Sequence, residues 1–137
     1  MNYEVKAVLS ATDENGKALK KTEQYLVINA TSCASAEYAV MSEKSKLKGF
    51  EIAIKSSKES NLETNCNSHL ALDEKYYKIV FEEVVSEQGS EKLKFKKSYR
   101  LVQAIDIHEA IVNSKEFGLE TVSIARSRIV EIIEANE

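Results

Sequence analysis

Cys66-Asn67-Ser68-His69 sets a thiol and an imidazole at the Cys-x-x-His spacing that supplies half of a zinc site. A structural zinc takes four such ligands, and Cys33 and His108 complete the set of two Cys and two His in the chain. Cys33 and His108 fall on two different expected helices, so Cys66 and His69 read more simply as members of a polar loop and no metal is expected. Other chemistry is less well furnished. Ser and Cys are present without a Gly-x-Ser-x-Gly elbow or a nucleophile paired with a base. Glu82-Glu83 reads as a solvated strand end rather than an acid and base pair. Four Gly, all in expected turns, cannot build a phosphate-cradling loop. The expectation is a chain with no catalytic residue, no cofactor and no enzymatic role.

Lysines make the strongest positive pattern. Lys92, Lys94, Lys96, Lys97 and Arg100 surround Phe95 and Tyr99 with no acid between them, and Lys17, Lys20, Lys21 and Tyr25 occupy a similar stretch earlier on. Cations beside aromatic rings can track a phosphate backbone while the rings stack bases, so single-stranded DNA or RNA is one candidate partner. The net charge of −3 opposes a general grip on nucleic acid. Lysine on an outer strand face also guards a sheet edge, and Phe95 and Tyr99 share an expected inward register with Leu93 and Leu101. The favoured function is therefore a binding or assembly module for a protein partner or for itself, as a homo-oligomer. The candidate contact residues for either partner are Lys20, Lys21, Tyr25, Lys92, Lys94, Lys96, Lys97 and Arg100.

The elements that must position these residues follow from hydrophobic period and turn chemistry. Tyr3, Val5, Ala7 and Leu9 alternate with polar neighbours as a strand, and Asn15-Gly16 turns the chain back. The return strand, about 19–29, carries Tyr25-Leu26-Val27-Ile28, a run that suggests burial on both faces in a central strand. Thr31-Ser32 caps a helix over about 33–46, whose apolar stripe is read as Ala34, Tyr38 and Met41 with Ala36, Ala39 and Val40 nearby. Gly49 ends it, and Phe50, Ile52 and Ile54 begin a third strand.

A second series has the same grammar. Tyr77, Ile79 and Phe81 form a strand, Glu87-Gln88-Gly89-Ser90 turns, and Leu93, Phe95, Tyr99 and Leu101 return. Asp106 with Glu109 three residues on is a capping box for a helix from Ile107 to about Phe117, closed by Gly118. Val122 and Ile124 begin a last strand, which Ile129 to Ile133 either extends or follows as a short helix. Sliding the sequence by 74 residues superposes Tyr3 on Tyr77, Leu19 on Leu93, Lys20 on Lys94, Tyr25 on Tyr99, Ala30 on Ala104 and Ala36 on Ala110. The expected fold is α+β. Two tandem ββαβ repeats, 1–55 and 75–137, would flank a polar linker at 56–74 and form one pseudo-twofold domain over 1–137, with antiparallel sheet or sheets and two helices.

The same residues match a family pattern. Glu14-Asn15-Gly16, Thr22-Glu23-x-Tyr25-Leu26-Val27, Ala30-x-Ser32 and Ala36-Glu37 resemble an uncharacterised family of small proteins from Bacteroidetes and their phages and mobile elements. Tyr77-Lys78, Glu91-Lys92, Leu101-Val102-Gln103-Ala104-x-Asp106 and Glu109-Ala110 are similar to its second block, and Ser123-Ile124 with Ile129-Val130-Glu131-Ile132 to its end. This chain holds one extra residue between Val27 and Ala30, has Tyr76 where the family tends to show Trp, and lacks a Thr-Pro pair near Arg126-Ser127. The family is a domain of unknown function, so the resemblance implies phage or mobile-element association and no activity.

Bulk properties fit this picture. The 137 residues are 43% hydrophobic and 30% charged, enough for a core and inconsistent with wholesale disorder. Apolar runs of a few residues fall far short of the roughly 20 that cross a bilayer. Met1-Asn2-Tyr3-Glu4-Val5-Lys6 does not open a secretory signal, so a cytoplasmic location in a bacterial host is expected, with Cys33 and Cys66 as reduced thiols.

Overall fold

The Asn15-Gly16 signal becomes a hairpin closed by Asp13. The Asp13 carboxylate accepts from the backbone N–H groups of Asn15 (2.9 Å) and Lys17 (2.7 Å), and the Gly16 N–H donates to the Asp13 carbonyl at 3.0 Å. Gly16 alone takes the left-handed conformation there, at φ +78°, which only glycine adopts without cost. In the computed structural model, which describes residues 1–46, 49–64, 70, 73–86 and 93–135, this turn joins β1 (Asn2–Thr12) to β2 (Ala18–Ile28). Then come α1 (Cys33–Lys44), β3 (Glu51–Ser60), β4 (Leu62–Thr64), β5 (Lys75–Ser86) and β6 (Leu93–Ala104). The described chain ends with α2 (Ile107–Ser114), a 3-10 turn over Lys115–Phe117, β7 (Glu120–Arg126) and β8 (Ile129–Glu134).

Two compact units form, Met1–Ser60 with Arg128–Glu137, and Asn61–Ser127. The fold is α+β with two helices and two four-stranded sheets, ordered β3-β1-β2-β8 and β4-β6-β5-β7. Both sheets are mixed, where antiparallel sheets were expected. β8 runs parallel to β2, and β4 runs parallel to β6. The Ile129–Ile133 segment, left open between strand extension and helix, is a separate strand on the first unit's sheet. Strand structure also runs through Ser56–Ser60 and resumes at Leu62–Thr64, where the sequence pointed to a polar linker. Short polar side chains sit on β3 because it is an edge strand with one neighbour, so composition alone hid it.

In the first unit, Tyr3, Val5 and Ala7 of β1 and Tyr25 and Val27 of β2 point to one face and pack under Ala36 and Val40 of α1. Each fully buried side chain of Val size or larger is worth about 1.5–3 kcal/mol. The buried stripe of α1 is thus Ala36–Val40, and the expected Tyr38 and Met41 are turned outward, Tyr38 to 73% exposure. Alanine at the contact lets the helix approach the sheet closely, which a tyrosine there would prevent. Ser32 caps α1 as expected: its hydroxyl accepts from the Ser35 N–H while the Ser35 hydroxyl accepts from the Ser32 N–H, each at 3.1 Å.

In the second unit, Tyr77, Ile79 and Phe81 pack with Val102, Ala104 and Ala110, and Phe117, Leu119 and Ile124 close over them. Asp106 caps α2 by accepting from the Glu109 N–H at 2.9 Å. Gly118, at φ +67°, ends the 3-10 turn in the left-handed conformation expected of it.

Strand register corrects the 74-residue superposition. Val5 faces Tyr25, whereas Ile79 faces Arg100 and Tyr99 faces Val80. A one-residue difference in strand pairing moves a side chain to the opposite face, so Tyr25 and Tyr99 do not occupy like positions. Arg100 stands where the first unit has Tyr25.

Candidate functional site

β5 and β6 run on together beyond the strands that flank them. β7 pairs with β5 only from Tyr77 to Glu82, and β4 pairs with β6 only from Tyr99 to Leu101. The β5–β6 ladder continues to Ser86 and Leu93. Among the described residues, no strand pairs with the outer side of Glu83–Ser86 or of Leu93–Ser98, and the result is a two-stranded arm with two open edges.

The arm's side chains follow from period 2. Glu82 faces Lys97 and Val84 faces Phe95 on one face, and Glu83 faces Lys96 on the other. Val84 is 54% exposed and Phe95 65%, so an apolar cross-strand pair stands in solvent beside charged neighbours. The Cβ atoms of directly opposed residues lie about 5 Å apart, so each lysine stem starts beside that of its glutamate. Two cations of the run that looked acid-free along the chain, Lys96 and Lys97, therefore stand across from glutamates on the ladder. Glu82-Glu83-Val84 and Phe95-Lys96-Lys97 are complementary when one is reversed, a signal that the sequence carried and that a strand-by-strand reading missed.

The other expected contact residues are dispersed. Lys20 and Lys21 are exposed near the first hairpin, opposite Ser10 and Leu9, and Lys21 pairs with Glu23 at 3.2 Å. Tyr25 is fully buried, because its position opposite Val5 turns it under α1, and its ring is not available for stacking. Arg100 likewise faces the core side. Its guanidinium lies 4.7 Å from the centre of the Phe117 ring and 3.5 Å from a Glu63 carboxylate oxygen, while Phe117 meets Phe81 edge-on at 5.5 Å. Phe95, expected inward, is exposed: it stands opposite Val84, on the face of the ladder away from Phe81. Lys92 lies outside the described residues, and Lys94 is placed by its backbone alone, opposite Val85.

A second polar cluster went unnoticed in the sequence because its members lie far apart along the chain. Lys44 of α1 forms an ion pair with Glu131 of β8, and its ammonium sits 4.9 Å from the centre of the Tyr25 ring. The Tyr25 hydroxyl donates to Glu23. Burial first, and then this carboxylate acceptor, push the Tyr25 pKa well above its ordinary value. The arrangement keeps Tyr25 neutral, and the Lys44–Glu131 pair ties helix to sheet.

Cys66 and His69 of the conceivable zinc half-site lie outside the described residues. Cys33 is a free, exposed thiol directed at the Ser57 carbonyl (3.8 Å), and His108 is exposed on α2. Among the described residues, no three His, Cys, Asp or Glu side chains converge as metal ligands. No helix among them is long and apolar enough to cross a membrane.

Residues 1–135 match a domain of unknown function, DUF4494, over nearly the whole chain. The chain belongs to the DUF4494 family. No curated protein and no solved structure matches it. The DUF4494 match agrees with the expectation of an uncharacterised family, and it spans α1, the arm and the Lys44–Glu131 pair alike.

Proposed function

We propose that this DUF4494 chain is a non-enzymatic binding and assembly module, an accessory protein of a phage or mobile element of Bacteroidetes. It acts in the bacterial cytoplasm on a protein partner or on itself, with the β5/β6 arm as its contact surface. One observation carries this reading: Val84 and Phe95 face each other, largely exposed, on a ribbon whose two edges pair with no further strand among the described residues. An extended protein segment satisfies both features at once, by completing the ladder and covering the apolar pair. The element orders β1-β2-α1-β3 and β5-β6-α2-β7 support a further reading, that two copies of one ββαβ unit arose by duplication.

Single-stranded nucleic acid is the weaker alternative, since Glu82 and Glu83 oppose Lys97 and Lys96, Arg100 is engaged by Phe117 and Glu63, and Tyr25 is buried. A photo-reactive phenylalanine analogue at position 95 distinguishes the classes in cells. Protein adducts are expected. Adducts to DNA or RNA, together with salt-sensitive anisotropy binding lost in Lys96→Glu/Lys97→Glu, would replace the protein reading with the nucleic-acid one.

A further inference from the structure

We infer that the partner of the arm is a second copy of this chain, with β5 of one copy adding antiparallel to β6 of the next. This rests on the binding-module reading above and gives it an occupant. The two open edges differ in chemistry. Along β5 the open edge presents Glu83 and Val84, and along β6 it presents Phe95, Lys96 and Lys97. Successive residues of a strand direct their backbone groups to alternate sides, so the register that closes the arm internally can be repeated on its outer side. Repeating it sets the partner's Glu83 against Lys96 and the partner's Val84 against Phe95. Lys96 is then flanked by two carboxylates and Phe95 by two valines.

Like edges do not pair as well. β6 against β6, antiparallel about Lys96, opposes lysine to lysine and sets Phe95 against Lys97, and like charges directly opposite are destabilising. The lysines therefore guard the edge against indiscriminate pairing while admitting the one edge that carries Glu83. A contact between two different edges is head to tail. It generates rings or open chains rather than a twofold dimer. The pairing is short and charge-dependent, so it develops with concentration and weakens as salt screens it.

Light scattering and sedimentation of the full chain, from about 10 μM to about 1 mM and at low and high salt, read this directly. The expected result is an average mass that climbs past the dimer with concentration and falls as salt rises. A Glu83→Lys/Lys96→Glu variant keeps its internal pair and should self-associate, yet co-assemble with the native chain about tenfold more weakly in a mixed fluorescence-transfer assay, because both mixed contacts oppose like charges. Phe95→Ser, which replaces an exposed ring and leaves the core intact, should weaken association as well. A chain that stays monomeric at 1 mM, a mass fixed at the dimer, or a charge-exchanged variant that co-assembles as well as the native chain would overturn the inference. Adducts at position 95 to a different protein, with the chain itself monomeric, would overturn self-association and leave the binding-module reading standing; nucleic-acid adducts would remove both.

Discussion

Lys44, in the last turn of α1, is paired with Glu131 of β8, 87 residues further along the chain, and both side chains are only 13% exposed. Removing one partner from a largely buried pair strands the other charge. Lys44→Ala or Glu131→Ala is expected to cost about 2–4 kcal/mol, read as a lowered urea midpoint. Replacing both with Lys44→Met/Glu131→Leu should cost less than the sum of the singles, because neither charge is then left alone.

Alkaline stability should follow Tyr25. Its folded pKa is raised by burial and by Glu23, so the native state keeps a proton that the unfolded chain releases near pH 10. The stabilisation is fully present below about pH 10 and is lost progressively as pH rises above it. Denaturant midpoints measured from pH 8 to pH 11 should fall, and Tyr25→Phe should flatten that fall. Tyr3, raised by burial and by Glu59 opposite it on β3, acts in the same direction.

The Arg100–Phe117–Phe81 stack anchors the end of the second unit's helix over its sheet. Phe117→Ala is expected to cost about 2–3 kcal/mol, less than a fully buried phenylalanine because the ring is half-exposed. Arg100→Ala combined with Phe117→Ala should be less than additive in thermal or chemical denaturation. If Arg100 instead served a phosphate, Arg100→Ala would leave stability unchanged.

Each helix depends on one side-chain cap. Ser32→Ala and Asp106→Ala should each cost about 1 kcal/mol. Hydrogen exchange locates the effect. Faster exchange is expected at the Ser35 amide in the first variant and at the Glu109 amide in the second, since those N–H groups lose their acceptors.

Local grammar was legible because its physics is local. Asp106 and Ser32 announced helix starts by offering an oxygen to backbone donors a turn away, and Gly16 and Gly118 announced positions that side chains resist. Alternation in Tyr3–Leu9 and Tyr77–Phe81 gave two strands and their inward faces. What misled was reading each strand without its partner. Tyr25, Phe95 and Arg100 were grouped as a contact set on type and spacing alone, and Val5, Val84 and Ile79 opposite them decide which way each one points.

The sequence by itself determined both helices and their caps, the first hairpin turn and the inward faces of β1 and β5, since each depends on residues within a few positions of one another. Only the tertiary structure decided the strand neighbours. β8 came to β2 and β4 to β6 in parallel, Glu83 came opposite Lys96, and Lys44 met Glu131, because pairing across long separations depends on which unsatisfied backbone edges and buried faces the rest of the fold leaves open.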